Sequence, residues 1–245
     1  MEKKPWQQLK QFTNARISLG RSGGSMPTNE VLKVRMAHSM AKDALHSEID
    51  ISKLSDDLQT LGLACMTVQS KVADRTDYLL HPDKGRVLNE LSITQLNMGS
   101  KEPVDLCIII ADGLSADAVN FHSVKLIQLL LPLLTSWIVA PVVIASQSRV
   151  ALADPIGEIL KAQITLILIG ERPGLSSPNS MGAYLTYLPQ TGNTDEKRNC
   201  VSNIQPEGLS YETAAFKISY LLQQMKTKQI SGVALKDDFQ EIRLL

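Results

Sequence analysis

Glu171 stands at the end of an apolar run, in ILIGERPGLSSP (residues 167–178). A carboxylate there either accepts hydrogen bonds from a ligand or pairs with its neighbour Arg172. Loops on a sheet rim often carry function, although a solvated or paired carboxylate is the commoner outcome. Pro173 stiffens this loop and Gly174 relaxes it. A second loop, ADGLS (residues 111–115), has Gly113 for a tight turn. Asp112 or Ser115 in it either caps the next helix or meets a ligand. A third, SQSRV, spans residues 146–150.

Self-contained catalytic signatures are missing. No GxGxxG, GxxxxGK[ST] or HExxH occurs in the chain. The histidines are His38, His46, His81 and His122; His38 lies in a helical pattern without a ligand-spaced partner and reads as a core or interface residue. Cys65, Cys107 and Cys200 are far apart and form no CxxC or zinc spacing. They fit free thiols in a reducing cytoplasm. The residues alone describe a binding module with no metal site and no catalytic centre of its own.

The three loops need a scaffold that brings them together. DLCIIIADGLS, APVVIASQS and QITLILIGERPG are short continuous apolar runs that end in turns, with helical segments at residues 116–137 and 153–162 between them. That alternation predicts a parallel sheet covered on both faces. Right-handed crossovers then place all three loops on one rim, where open α/β sheets bind ligands. AYLTYLP reads as a further strand and SYETAAFKISYLLQQMKT as a late helix.

The first hundred residues read as helical. TNEVLKVRMAHSMAKDALHSEI has Val31, Leu32, Met36, Met40 and Leu45 near helical spacing, with Thr28 or Asn29 placed to cap it. HPDKGRVLNELSITQLNM predicts a second helix, with Pro82 and Asp83 in its first turn and Val87, Leu88, Leu91 and Leu96 on its apolar face. KEPVD (residues 101–105) reads as a linker. The expected fold class is α/β, a helical N-terminal region at residues 1–100 plus a Rossmann-like domain with a mostly parallel sheet at residues 101–245.

Composition narrows the partners. The 245 residues carry 25 Lys+Arg against 25 Asp+Glu, and aromatics make up only 4%. Zero net charge and few stacking rings argue against a nucleic-acid partner. VKLIQLLLPLLTSWIVAPVVIAS resembles a membrane span in hydropathy, but Pro132, Pro141 and its change from Leu-rich to Val/Ile-rich mark a buried helix followed by a strand. The N-terminus has no apolar segment of signal-peptide type, so a cytoplasmic location is expected.

Six stretches carry a resemblance: ARISLGRSGG, AHSMAKDAL, LLHPDKGRVL, IIADGLSADAV, IGEILKAQITLILIGERPGLSSPNSMGAYLTY and NCVSNIQPEGLSYETAA. In this order, within residues 15–225, the chain resembles the small (light) subunit of adenosylcobalamin-dependent ethanolamine ammonia-lyase. The resemblance implies a carbon–nitrogen lyase that works with a large (heavy) catalytic subunit, in a higher hetero-oligomer, to convert ethanolamine to acetaldehyde and ammonia. It implies that residues 1–100 contact that partner and residues 101–245 contact cobalamin at the subunit interface, through Val150, Glu171 and Cys200. It also implies base-on adenosylcobalamin, and the absence of DxHxxG agrees, HPDKG having the wrong order. Some relatives carry a longer N-terminal extension associated with bacterial microcompartment targeting. The shared core here begins within about a dozen residues of Met1, which counts against such packaging. The competing reading is a stand-alone Rossmann-like nucleotide-binding enzyme, for which no motif speaks.

Overall fold

The computed structural model describes residues 8–13, 15–17, 19–99 and 102–239. Ser18 in ARISLGRSGG and Lys101 in the expected linker lie outside them. The fold is α/β, with a six-stranded, mostly parallel, Rossmann-like sheet. In chain order the main elements are α1 (Thr28–Leu45), α2 (Ile51–Thr60), β1 (Cys65–Gln69), α3 (Arg75–Leu80), α4 (Glu90–Met98), β2 (Val104–Ala111), α5 (Ala116–Leu130), β3 (Val142–Ser146), α6 (Ala153–Ile159), β4 (Ala162–Gly170), β5 (Met181–Tyr187), β6 (Arg198–Ile204) and α7 (Tyr211–Lys228).

The strand order is β1-β3-β2-β4-β5-β6. β1, β3, β2 and β4 run parallel, while β5 and β6 pair antiparallel. β2 is apolar on both faces because both faces are covered. Leu106, Ile108 and Ile110 enter one core with α2, α5 and α7. Cys107, Ile109 and Ala111 enter the other, with α6 and part of α4. The chain passes from β2 through α5 to β3 on one side, then through α6 to β4 on the other. With right-handed crossovers this reversal puts α5 and α6 on opposite faces and opens the crevice at the carboxyl end of β2.

Several sequence expectations are corrected here. The second helix does not begin at Pro82. Residues 84–86 form a single 3-10 turn, and residues 87–89 lie extended against residues 69–71, with Lys71 N–H donating to the Val87 carbonyl at 2.8 Å. The helix starts at Glu90, because Asn89 accepts the Ser92 N–H at 2.8 Å and caps it. Leu88 and Leu96 are buried, but Val87 and Leu91 are exposed. The segment expected to be helical to residue 137 stops as an α-helix at Leu130. Pro132 has no N–H to continue the ladder, so Leu131–Leu134 tightens into a 3-10 turn. Neither Thr28 nor Asn29 caps α1; Pro27 occupies the cap position. His38 is exposed rather than part of the core. Finally, the largely helical first hundred residues also give the sheet its edge strand, β1. Among the described residues no helix is long and apolar enough to cross a membrane.

β6 is tied to α6 by a buried ion pair. The Arg198 guanidinium donates to both carboxylate oxygens of Asp154 at 2.9 and 2.7 Å. This fork-on-fork geometry leaves neither charge unpaired.

His122 on α5 packs against the start of α7, its Nδ1 2.7 Å from the Tyr211 hydroxyl. Burial holds its pKa below the ordinary 6.5, and the Asn179 carbonyl opposes the shift. The fold thus prefers neutral His122, while the unfolded chain takes up the proton near 6.5. Unfolded chains then bind more protons than folded ones as pH falls below 6.5, so stability is lost in that direction. Urea midpoints measured downward from pH 6.5 should fall for the native chain, and the His122→Gln variant should give a flatter profile.

Candidate functional site

Three loops meet at the crevice, and one buried carboxylate joins two of them. Asp112 follows β2 and is 3% exposed. Its oxygens accept the backbone N–H groups of Gly113 and Ser148 at 2.9 Å each and of Gln147 at 2.8 Å. Asp112 is therefore neither a helix cap nor a free ligand contact. Burial pushes its carboxyl pKa up, and the N–H donors with nearby Arg75 pull it back towards ionisation. Arg75 Nη1 lies 3.6 Å from Asp112 Oδ2. The same arginine donates to the Gly113 and Leu45 carbonyls at 2.9 and 2.8 Å, so it ties α1 to the rim.

The third loop is locked on by two glycines. Gly113 sits at φ +56°, and a Cβ on it would strike the Gly170 carbonyl oxygen. A Cβ on Gly170 would strike the carbonyl oxygens of Ser115 and Asp112. The Leu114 N–H donates to the Gly170 carbonyl at 3.0 Å. Ser115 holds the cap position of α5 without making a cap bond, and its Oγ is buried without a partner. Below the rim, Tyr78 is fully buried. Its hydroxyl donates to the Ser148 carbonyl at 2.9 Å, and its ring lies 4.6 Å from the Arg75 guanidinium and 4.1 Å from that of Arg149.

Val150, Glu171 and Cys200 line two adjoining clefts on this rim and the sheet face beside it. Cys200 lines one of about 340 Å³. Glu171 lines the other, of about 450 Å³. Arg149, Val150 and Tyr184 line both. Val150 begins the 3-10 turn Val150–Leu152 that leads into α6. Glu171 is half-buried and lies over Gly182, where a Cβ would come within 3.0 Å of its Oε1. Its carboxylate accepts the Asn203 N–H, with the nearer oxygen at 3.2 Å. No ion pair joins it to Arg172, so the paired-neighbour alternative does not describe it. Arg16 donates to the Leu175 carbonyl at 2.9 Å and to Ser176 Oγ at 3.2 Å, bracing the same loop from the N-terminal segment.

Tyr184 is the residue that sequence reasoning missed. It pairs with Ile167 on one side and Cys200 on the other, on the sheet face that carries Gly182 and Thr186. α7 covers the opposite face of β5 and β6, while on this face α6 reaches β6 only through the Asp154–Arg198 pair, so the face stays open at Cys200 and partly at Tyr184. Burial, then the neighbouring Cys200 and Glu171, push the Tyr184 phenol up. Cys200 is exposed to the cleft but backed by the sheet; that packing pushes its thiol up and Glu171 adds to the shift, against a hydrogen bond with Tyr184. The thiol stays neutral, which suits a packing contact and not a nucleophile. None of the four histidines lines either cleft, and the described residues hold no group of three or more metal-ligating side chains. A cleft of about 470 Å³ lies at the other end of the sheet, around Asp105, Glu158 and Lys161. Asp105 there is paired with Lys226 at 2.8 Å, and Glu158 accepts from Thr191 at 2.6 Å, so neither carboxylate is left for chemistry.

The family model for ethanolamine ammonia-lyase light chain (EutC) matches residues 3–236. The chain belongs to that family. The ethanolamine ammonia-lyase small subunit of Bradyrhizobium diazoefficiens is 50% identical over 239 residues, 96% of this chain and 92% of its own. That of Azotobacter vinelandii is 47% identical over 245 residues, 98% and 91% of the two chains. That of Pseudomonas aeruginosa is 47% identical over 239 residues, 96% and 88% of the two. All three rim loops and the open face of β5 and β6 lie within the span matched by the light-chain family.

The rim geometry makes Asp112 costly to lose. Asp112→Asn keeps the shape but turns an amide NH₂ towards N–H donors and leaves Arg75 without its charge partner. The variant should lose about 2–4 kcal/mol of folding stability in urea denaturation. Glu171→Gln, more exposed, should lose under ~1 kcal/mol in the same measurement.

Proposed function

We propose that this chain acts as the small subunit of an adenosylcobalamin-dependent ethanolamine ammonia-lyase. It holds one face and the tail of base-on cobalamin against a large catalytic subunit, which converts ethanolamine to acetaldehyde and ammonia. The observation that carries the reading is the convergence of Val150, Glu171 and Cys200 around Tyr184, on a sheet face that the chain itself leaves open.

The donor set fits the group. Corrin side chains are mostly neutral amides, which need fixed acceptors and donors. Glu171 offers a carboxylate already oriented by the Asn203 N–H, Tyr184 a phenol held neutral, and Val150 and Cys200 apolar contact. No histidine borders the clefts to take the place of the cofactor's own lower base, in keeping with base-on binding. The cofactor, when bound, supplies the radical chemistry; this chain's residues bind and orient it. Each cleft is smaller than a corrin and open on one side, so the remaining cover comes from a partner.

Residues 1–100 supply the surface for that partner. α1 buries only Ala37 and Ala44, while Leu32, Met36 and Met40 are 57%, 63% and 47% exposed. An apolar stripe of this kind suits an interface. A nucleotide-binding enzyme is disfavoured by the rim itself. The Gly170 carbonyl already accepts the Leu114 N–H at the start of α5, where a dinucleotide phosphate would sit in a Rossmann site.

The test is co-expression with a large ethanolamine ammonia-lyase subunit, followed by titration with adenosylcobalamin. The two chains should co-purify and bind the cofactor. This chain alone should release no acetaldehyde from ethanolamine, and release without a partner would overturn the assignment. Glu171→Gln in the assembled complex should weaken cobalamin binding by ~1–2 kcal/mol, or roughly 5- to 30-fold, through loss of charge assistance. Glu171→Ala should weaken it further. Turnover at saturating cofactor should change less than affinity in both variants; unchanged affinity in both would remove Glu171 from the site.

A further inference from the structure

We propose that Arg149 and Arg172 form an anion subsite that takes the phosphodiester of the cofactor's nucleotide tail. This rests on the cobalamin reading above and adds to it two residues and a charged group. The chain as a whole is neutral, with 25 cationic and 25 anionic side chains, yet the rim is not. Arg149 lines both clefts and the recess beside them, and Arg172 lines the larger cleft and the same recess.

Arg86 borders the Cys200 cleft but neither the larger cleft nor the recess that Arg149 and Arg172 share, and two further rim arginines are committed within the chain. Arg75 lies against Asp112 at 3.6 Å, and Arg198 is locked to Asp154 at 2.7 Å. Neither Arg149 nor Arg172 has a carboxylate partner among the described residues. Glu171, the nearest in sequence, is turned to the Asn203 N–H. Arg149 Nε is buried without any hydrogen-bond partner, and its Nη2 donates only to the Tyr78 carbonyl, at 3.2 Å. Its position is fixed by stacking on Tyr78 at 4.1 Å and by Gly85, where a Cβ would come 2.8 Å from the arginine Cγ. Arg172 is exposed and followed by Pro173, which stiffens its loop.

A pre-fixed guanidinium with unused donors, faced by a second across a cleft, is suited to a tetrahedral oxyanion. Of the groups a cobalamin carries around its corrin, the side-chain amides are neutral and the phosphodiester is the fixed anion. The alternative occupant is a carboxylate of the partner subunit.

Two ligands separate these cases in the assembled complex. Cobinamide has the corrin and its amides but lacks the phosphodiester and the nucleotide base. Arg172→Gln should weaken cobalamin binding roughly 5- to 30-fold and leave cobinamide binding unchanged. Arg149→Lys, which keeps the charge but loses the fork, should show the same selectivity. Added KCl should weaken cobalamin binding to the native complex more than to the Arg172→Gln complex. Arg172 is exposed, so its variant decides the matter even where Arg149→Lys disturbs the fold. Equal weakening for both ligands, loss of subunit co-purification, or no change with either ligand and no difference in salt dependence would each overturn the subsite while leaving the cobalamin reading intact. A native complex that binds neither ligand would overturn both.

Discussion

The Asp112 carboxylate sits where the loops after β2 and β3 meet the end of β4, and the rim is arranged around its need for donors. A buried carboxylate is costly unless its oxygens are occupied. Here three backbone N–H groups and Arg75 occupy them. Meeting that need fixes Gln147 and Ser148, and so fixes where Arg149 and Val150 emerge. It also draws Arg75 inward, and Arg75 brings α1 with it through the Leu45 carbonyl. Gly113 and Gly170 then allow β4 to close against β2 at a distance that no side chain tolerates. Val150 and Glu171, distant in sequence, border one cleft as a consequence of this packing.

The second constraint is the antiparallel extension. Adding β5 and β6 beyond β4 creates sheet that α6 covers only around Arg198 and Thr186. α7 protects one face, where Met181, Ala183, Leu185 and Val201 are buried. The other face carries Gly182, Tyr184, Thr186 and Cys200 and stays accessible at Cys200. The Arg198–Asp154 pair holds this open shelf at a fixed distance from α6. Replacement by apolar residues of matching volume is often no less stable, so such pairs are better understood as fixing geometry than as adding stability. For a surface that binds by presenting fixed acceptors, fixed geometry is the useful property.

The legible parts of the sequence were those whose local pattern matches their environment. β2, β3 and β4 are buried on both faces and show as unbroken apolar runs, so the rim and the place of Glu171 and Val150 on it followed. β6 was not legible. RNCVSNI has one buried face, and its alternation is broken by an irregular register against β5. β1 is a short edge strand whose strand partner among the described residues, β3, is more than seventy residues away. Tyr184 could not be singled out without β6, because only the pairing of Ile167, Tyr184 and Cys200 across three strands shows which residues share the open face. Cys200 itself entered through family resemblance, since nothing about a lone mid-strand cysteine marks it.

α1 shows the remaining limit of sequence periodicity. The spacing of Leu32, Met36 and Met40 correctly indicates a helix with an apolar stripe, but periodicity does not say what the stripe packs against. Within this chain the helix buries two alanines and is tied by the Arg75–Leu45 hydrogen bond, while Leu32, Met36 and Met40 are exposed. Alanine burial frees little apolar area, so α1 gains little from its own chain and would gain more from a partner. The contrast with β2, where every residue from Leu106 to Ala111 is buried, divides the molecule physically. The sheet at β2 is packed on both faces, whereas α1 presents three of its larger apolar side chains to solvent.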